Sequence, residues 1–364
     1  MEKLKRFIEC YIPTETCNFR CHYCYIAQKR KFNNKLFKLT QEPEFIGKAL
    51  SVKRMGGHCL INLCAGGETL LSNQIIDLIR ILLEEGHYVM VVTNGSLKNR
   101  FEQIAKYPEE LLNHLLFKFS FHYLELQRLG LLDTFADNVN LMKKSGASIN
   151  VEITPSDELE PYIDEIKEYS IKKFGALPHI TIGRKDIDDI PPLTDRTFED
   201  YKKIWGQFES TMFSFKSTIF GVKRNEFCYA GDWSVYLNVE TGEMKQCYCG
   251  RKICNIYENL EEPIKFCPIG NKCSLPHCYN GHSFLTLGDI PEMDSPTYSE
   301  IRNRKCDDGS MWLTKDMDKF ISQKLCENNQ VLSRKEQQKI NMKNSIKDGP
   351  QQIKSVIKKV IKRK

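Results

Sequence analysis

Short β-rich runs alternate with amphipathic helical patterns along residues 6–185. Such alternation is typical of parallel βαβ units. We therefore predict an α/β fold with six parallel strands and their helices, arranged as a partial (β/α)6 barrel. The predicted strands are Phe7–Ile12, Cys59–Cys64, Tyr88–Thr93, Leu116–Phe121, Ile149–Thr154 and His179–Gly183.

The pattern changes after residue 190. Pro191–Pro192 interrupts the alternation, and a helical run is predicted from Phe198 to Phe208. Beyond Phe227 the chain is rich in Cys, Gly and Pro, as expected of a small unit that folds around a metal. We divide the chain into the barrel (1–190), a linker with a helical segment (191–226), a Cys-rich auxiliary domain (227–290) and a C-terminal extension with a basic helical tail (291–364).

The composition is that of an ordinary soluble protein, since 41% of the residues are hydrophobic and 27% are charged. No run approaches the roughly 18 consecutive apolar residues of a membrane span, and the first apolar run is too short for a signal peptide. We expect a cytoplasmic protein. Because cysteines stay reduced there, the 15 cysteines in clustered spacings favour metal binding over disulfides.

The net charge of +6 comes from the C-terminal tail. Residues 331–364 contain eleven Lys and Arg but two acidic residues, so the tail contributes +9 and the remainder −3. Nucleic acid is therefore not an expected partner. Apolar tail residues at a helical period predict either a basic amphipathic helix in peripheral contact with anionic lipid or a solvated terminal helix. They are Ile353, Val356, Ile357, Val360 and Ile361.

Three cysteines, Cys17, Cys21 and Cys24, follow the first predicted strand in a C-x3-C-x2-C spacing. Three thiolates on one tight loop can bind three irons of a 4Fe-4S cubane and leave the fourth iron open. A zinc site with His22 as fourth ligand is the alternative. Tetrahedral zinc sites usually take paired C-x2-C elements, so the cubane is favoured.

The segment CNFRCHYCY resembles the defining motif of the radical S-adenosylmethionine superfamily. The resemblance implies a catalytic 4Fe-4S cluster on these three cysteines, whose open iron binds the amino and carboxylate groups of S-adenosylmethionine. It implies reductive cleavage of that cofactor to a 5′-deoxyadenosyl radical, with the electron supplied by a flavodoxin or ferredoxin-type donor. It also implies that the ring of Tyr23 lies near the adenine.

Further candidates for the S-adenosylmethionine site follow the second and fourth predicted strands. Gly66 and Gly67 allow the backbone to approach a ligand closely. With Glu68 they resemble the Gly-Gly-Glu segment of the family, which implies contact between Glu68 and the methionine amino group. Ser120 and His122 share a face by the period of a strand, and in the family polar residues there meet the ribose hydroxyls.

The sequence allows two interpretations for each of two charged residues, one on the fifth predicted strand and one directly after the sixth. Glu152 and Arg184 either face the barrel mouth, as contacts of S-adenosylmethionine or substrate, or lie at the surface. The turn at 93–95 is either a pocket edge or only a turn. No catalytic acid or base is predicted.

A second group of cysteines lies between residues 228 and 278. Cys228 and the Gly242-x4-Cys247 element resemble the SPASM domain or the shorter twitch domain, which bind auxiliary 4Fe-4S clusters after the barrel. Ile264 stands where a full SPASM domain has cysteine, so we expect one auxiliary cluster. The preferred ligands are Cys228, Cys247, Cys273 and Cys278, with Cys267 the nearest competitor and Cys249 or Cys254 as replacements. A zinc ribbon is the alternative.

An auxiliary cluster near the substrate can accept an electron or bind the substrate, so we predict oxidation or cross-linking of a peptide or protein. Maturases of anaerobic sulfatases carry Asp directly after the cysteine of G-x4-C, whereas this chain has Tyr248, which disfavours that activity. Only sixteen residues precede Cys17, so no leader-peptide recognition domain is expected before it. Two alternatives stay open: a radical dehydrogenase of a sugar or lipid-linked glycan, and a non-catalytic iron-sulfur or zinc protein.

Overall fold

The computed structural model describes residues 2–187 and 189–346 of the 364-residue chain. Within these residues nine strands form one sheet in the order β6-β5-β4-β3-β2-β1-β7-β8-β9. The strands are β1 (Arg6–Ile12), β2 (Cys59–Ala65), β3 (Tyr88–Thr93), β4 (Leu115–Ser120), β5 (Ser148–Ile153), β6 (His179–Ile180), β7 (Ser234–Asn238), β8 (Glu243–Lys245) and β9 (Lys252–Asn255).

Helices connect the strands and extend beyond them. They are α1 (Tyr25–Gln28), α2 (Pro43–Ala49), α3 (Val52–Met55), α4 (Asn73–Glu84), α5 (Lys98–Ile104), α6 (Glu109–Leu112), α7 (Tyr123–Leu129), α8 (Leu132–Lys144), α9 (Ile163–Phe174), α10 (Phe198–Gly206), α11 (Thr211–Ile219), α12 (Gly281–Phe284), α13 (Lys315–Ile321) and α14 (Leu325–Asn328). Short 3-10 helices occupy Thr69–Leu71 and Asp157–Tyr162, and residues 334–346 are also helical.

The first six strands are parallel and follow one another along the sheet. The predicted α/β fold with a parallel sheet is therefore confirmed. Hydrophobic periodicity identified these strands because buried parallel strands are apolar on both faces. β6 is shorter than predicted, since the chain folds back after it and the Gly183 carbonyl accepts a hydrogen bond from the Leu193 amide at 2.9 Å.

The Cys-rich segment extends this sheet. β7 pairs in parallel with the second edge of β1, and the β8–β9 hairpin continues outward from β7 in antiparallel fashion. The Phe7 amide also donates to the Trp233 carbonyl at 2.9 Å. The sequence did not predict this pairing, because the two partner strands are far apart along the chain. As a result β1 lies inside the sheet and not at its edge.

The segment 298–321 covers the amino-terminal end of the barrel. The Trp312 carbonyl accepts from the Ile149 amide at 2.9 Å, and the indole Nε1 donates to the Phe174 carbonyl at 3.1 Å. Nearby, the rings of Phe320 and Tyr88 stack with centroids 3.6 Å apart. Ile149 and Tyr88 lie at the starts of β5 and β3, so this end of the barrel is packed with side chains.

The predicted amphipathic tail helix, with its apolar residues between Ile353 and Ile361, lies outside the described residues. Its contact with lipid stays a prediction. Among the residues that the structure describes, no helix is both long enough and apolar enough to cross a membrane.

A buried ion pair joins β5 to the segment 298–321. Arg302 is fully buried, its guanidinium contacts the Glu152 carboxylate, and it donates to Asn150 Oδ1 at 3.3 Å. Removing one member of such a pair leaves an uncompensated charge and costs roughly 3–5 kcal/mol. Glu152→Gln should lower the free energy of unfolding by about this amount, measured by urea unfolding followed through tryptophan fluorescence.

Glu160→Gln provides the matched control, because its partner Arg196 is 54% exposed and pairs of that kind contribute about 1 kcal/mol or less. Adding Arg302→Met to Glu152→Gln should recover part of the loss, since both charges are then gone. Equal free energies of unfolding for the wild type and Glu152→Gln would show that the ion pair does not stabilise the contact between β5 and the segment 298–321.

Candidate active site

A cavity of ≈ 540 Å³ lies at the carboxyl ends of the parallel strands. Ligand sites of α/β folds lie at this edge of the sheet. The structure brings every residue predicted for the catalytic cluster and the S-adenosylmethionine site to this cavity: Cys17, Cys21, Cys24, Tyr23, Gly66, Gly67, Glu68, Ser120 and His122. Glu152 and Arg184 line it as well. What each residue binds there stays a prediction.

The first thiol group, Cys17, Cys21 and Cys24, lies on the loop that leaves β1. Its position is set by the turn after β2, because the amides of Gly66 and Glu68 donate to the carbonyls of Ile12 and Thr16, both at 3.0 Å. A Cβ on Gly66 or Gly67 would overlap the carbonyl oxygens of this loop. The two glycines therefore allow close contact between two loops, a role the sequence did not reveal.

Glu68 ties the end of β2 to the end of β3. Its Oε1 accepts from the Thr93 hydroxyl at 2.7 Å and the Leu70 amide at 3.0 Å, and its Oε2 accepts from the Asn94 amide at 2.8 Å. Burial raises the pKa of this carboxyl above its ordinary value. Glu68 is thus held in a fixed orientation at the cavity, where its predicted contact with a methionine amino group would use a remaining lone pair.

Asn94 links the turn after β3 to the first thiol group. Its side-chain amide donates to Asn18 Oδ1 at 2.8 Å and lies 3.9 Å from the Cys17 sulfur, while Asn18 donates to the Ser96 hydroxyl at 2.8 Å. On the other side of the loop, the Arg20 amide donates to the Glu125 carboxylate at 2.7 Å. Asn94 and Glu125 thus contact the loop that carries the first thiol group. Spacing alone could not identify these contacts, because both residues are far from the cysteines in sequence.

Tyr23 and His122 form a pair in the cavity wall. The Tyr23 hydroxyl and His122 Nδ1 are 2.6 Å apart. Burial lowers the pKa of His122 to about 4 and raises the pKa of Tyr23 well above its ordinary value. Both side chains are therefore neutral at pH 7, with the phenol donating to an unprotonated Nδ1. This bond fixes the Tyr23 ring, which is predicted to meet an adenine.

The first thiol group has the donor chemistry of an iron-sulfur site. Burial raises the pKa of Cys17 to about 11 and also raises the pKa values of Cys21 and Cys24. The thiols are protonated until a metal displaces the protons, which couples metal binding to proton release. Three thiols on one loop, all facing one cavity, fit three corners of a cubane.

Charged and polar side chains form the deeper wall of the cavity. The Asn62 side-chain amide donates to Glu9 Oε1 at 2.9 Å, and Lys118 Nζ lies 3.5 Å from Glu152 Oε2. Burial raises the pKa of Glu9, whereas burial and the Arg302 charge lower the pKa of Lys118 to about 7. The sequence singled out Glu152 in this set but missed Glu9 and Lys118, which alternate with apolar residues along β1 and β4.

The second thiol group consists of five cysteines, Cys228, Cys247, Cys249, Cys273 and Cys278. The sulfurs of Cys249 and Cys273 are 3.9 Å apart. Hydrogen bonds from Cys247 and then Cys273 lower the pKa of Cys249, and the charge of Cys278 acts on Cys228 and Cys247. All four preferred ligands predicted from the sequence are therefore neighbours, and Cys249 joins them.

Cys267 does not belong to the second thiol group. Its sulfur lies 3.3 Å from an Arg251 guanidinium nitrogen and 3.7 Å from Asn344 Oδ1. Its backbone is fixed there, because its amide donates to the Gly231 carbonyl at 2.9 Å and its carbonyl accepts from the Gln246 side-chain amide at 2.7 Å. These contacts favour Cys249, one of the two replacements named from the sequence, over Cys267. The ligand set of the auxiliary site stays a prediction.

The second thiol group lies directly behind one wall of the cavity. Tyr248, between Cys247 and Cys249, and Tyr279, which follows Cys278, both line the cavity. Asn280 donates to the Tyr248 hydroxyl at 2.5 Å and fixes its position. Tyr248 and Tyr279 therefore bring the segments that carry the second thiol group to the same cavity that Cys17, Cys21 and Cys24 line.

No three His, Cys, Asp or Glu side chains within 2–187 and 189–346 are spaced to hold a metal ion. Each ligand of a cubane binds a different iron, so its thiolates need not converge on one point. The metal that each thiol group binds stays a prediction.

Comparisons with known proteins match part of this chain. Residues 11–155 match the model of the radical SAM superfamily, where SAM is S-adenosylmethionine. Over 82 residues the chain is 37% identical to a Methanocaldococcus jannaschii protein named as an activating enzyme of a glycyl-radical enzyme. That match covers 22% of this chain and spans 29% of the relative.

Solved structures resemble the fold. The structure of anSMEcpe with bound AdoMet matches with a TM-score of 0.50 and 14% identity, over 70% of this chain and 75% of that one. Streptococcus suis SuiB bound to S-adenosylmethionine matches with a TM-score of 0.49 and 12% identity, and the match covers 71% of this chain and 65% of SuiB.

The contact between the Gly66–Gly67 turn and the cysteine loop yields a prediction. In Gly67→Ala the new methyl group would overlap the Thr16 carbonyl and push the first thiol group away from β2. Iron retained by the first thiol group after anaerobic reconstitution should fall by roughly half or more, because overpacked backbone must shift. Iron per chain and bound S-adenosylmethionine would be measured together.

Gly206→Ala is the control, since a Cβ at Gly206 would meet no atom within 4 Å. That variant should retain wild-type iron. Unchanged iron content in Gly67→Ala would show that the close contact of the two loops is not required for the site.

Proposed function

We propose that this radical SAM enzyme, which carries its radical SAM domain at residues 11–155, abstracts a hydrogen atom from a peptide or protein and completes an oxidation or cross-link with the help of an auxiliary 4Fe-4S cluster. One observation carries the proposal. The second thiol group lies behind the wall of the cavity that the first thiol group enters, with Tyr248 and Tyr279 between them. A cluster there would lie within reach of a substrate radical.

Different residues at this site would bind the cluster and orient the cofactor. Cys17, Cys21 and Cys24 would hold the catalytic cluster, and Glu68 and the Tyr23–His122 pair would orient the cofactor. When bound, the cluster and S-adenosylmethionine supply a 5′-deoxyadenosyl radical that takes hydrogen from an unactivated C–H bond. The chain would fix the cofactor between the aromatic side chains and the charged and polar side chains that line the cavity. The electron would come from a flavodoxin or ferredoxin-type donor.

A proteinaceous substrate is favoured by two considerations. The Methanocaldococcus jannaschii relative is named for action on a glycyl-radical enzyme, which is itself a protein. The cavity of ≈ 540 Å³ is also of the size of one small-molecule site. Once S-adenosylmethionine occupies it, the remaining space suits one side chain that enters from a larger partner.

The first test concerns the radical site. The anaerobically reconstituted and reduced protein should cleave S-adenosylmethionine to 5′-deoxyadenosine and methionine, detected by liquid chromatography with mass spectrometry. The triple variant of Cys17, Cys21 and Cys24 to Ala should lose this cleavage, because no ligands remain for the catalytic cluster. Cleavage at the wild-type rate in that variant would refute the assignment.

The second test counts irons. With one cubane at each thiol group, the wild type should contain about eight irons and the triple variant about four. Cys247→Ala with Cys249→Ala should also contain about four irons, because the auxiliary cubane then has three thiols and, unlike the catalytic cubane, no S-adenosylmethionine to complete the fourth iron.

Cys267→Ala is the matched control and should retain the wild-type iron content, since its sulfur contacts Arg251 and Asn344 instead of the other cysteines. Loss of four irons in Cys267→Ala, or none in the Cys247/Cys249 variant, would contradict the proposed auxiliary site.

A further inference from the structure

A buried lysine faces the cavity without an acidic partner. Lys216 on α11 is 6% exposed and lines the cavity wall. Its ammonium donates to the Thr181 hydroxyl at 2.7 Å, and within the described residues it forms no ion pair. An ammonium group has three N–H donors, so two of them point to no other protein group in the part of the chain that the structure describes.

A second basic side chain lines the cavity together with Lys216. Arg184, after β6, lines the same wall, and its charge acts on Lys216. Its guanidinium donates to the Tyr279 carbonyl at 3.2 Å and, among the described residues, pairs with no carboxylate. His282 lies close to both cations, is 6% exposed, and its Nδ1 has no hydrogen-bond partner in the described residues.

The acidic groups of the cavity are each engaged elsewhere. Glu152 contacts Arg302 and Lys118, and Glu9 accepts from Asn62. Glu68 is held by backbone amides at the opposite side, and Asp186 pairs with Lys29. Lys216 and Arg184 are therefore two basic side chains that pair with no acidic residue among the described residues of the cavity. Burial and then the Arg184 charge lower the pKa of Lys216 well below its ordinary value, and an anion bound beside the two side chains would favour the protonated ammonium again. Burial of a charge is costly unless an anion accompanies it.

We propose that Lys216 and Arg184 bind an anionic group of the substrate, a carboxylate or a phosphate. The inference rests on the proposed function, since it places the substrate between the first thiol group and the second. The guanidinium offers a planar fork of donors and the ammonium a point charge, a combination that recognises both anions. The Thr181 hydroxyl and His282 Nδ1 provide further polar contacts on the same wall.

The test uses the full chain, reconstituted anaerobically and saturated with S-adenosylmethionine so that the methionine site is occupied. Inorganic phosphate and acetate are the probes, and calorimetric titration measures the Kd of each. Lys216→Met and Arg184→Gln should each weaken binding of the preferred anion by roughly tenfold or more, because each removes a charge-assisted hydrogen bond. Lys172→Met, an exposed lysine on α9, should bind as the wild type does.

The preferred probe identifies the group: tighter phosphate binding indicates a phosphorylated substrate, and tighter acetate binding indicates a carboxylate. Lys216→Met removes a buried charge and is expected to fold; thermal unfolding of each variant checks this. The inference would be overturned if the wild type bound neither anion, or if all variants bound the anions with equal affinity. It would also be overturned if the variants lost as much affinity for S-adenosylmethionine as for the anion, because Lys216 and Arg184 would then contact the cofactor. Cleavage of S-adenosylmethionine by the wild type is assayed on the same samples, so failure of the proposed function is recognised separately.

Discussion

The parallel pairing of β7 with β1 is the contact on which the site depends. The loop after the carboxyl end of β1 carries the first thiol group, and the chain on both sides of β7 carries the second, with Cys228 before the strand and the other four cysteines after it. Because the pairing of β1 with β7 connects the two thiol groups, the backbone hydrogen bonds of that pair set the distance between the groups. Packing between two independent bodies is not needed. The charged cavity wall, with Lys216 and Arg184, then lies between two sites whose relative position is fixed.

Local patterns in the sequence were sufficient for the barrel and the first thiol group. The six parallel strands follow from apolar runs, and Cys17, Cys21 and Cys24 are close enough in sequence that one loop brings them together. Contacts between distant segments were not predictable from spacing. The pairing of β7 with β1 and the contact of Asn94 with Cys17 both depend on tertiary folding. Spacing named Cys249 only as a replacement ligand, and its contact with Cys273 became visible in the folded chain.

Burial sets the charge state of much of the cavity. Tyr23 and His122 are neutral because both are enclosed, and the thiols stay protonated until metal binding displaces their protons. The exceptions are ionised groups that have partners, such as the pair of Glu152 and Arg302. The cavity therefore combines neutral aromatic and thiol groups beside the first thiol group with charged side chains along its deeper wall.

The position of β7 also bears on biosynthesis. Chains emerge from the ribosome amino terminus first, so β1 to β6 are complete long before residue 238 appears. During that interval β1 presents an unpaired edge, which is a template for association with other chains. The amino-terminal end of the barrel is likewise uncovered until residues 298–321 have been made. During synthesis the chain therefore exposes the edge of β1 until β7 has been made, and the amino-terminal ends of β3 and β5 until residues 298–321 have been made.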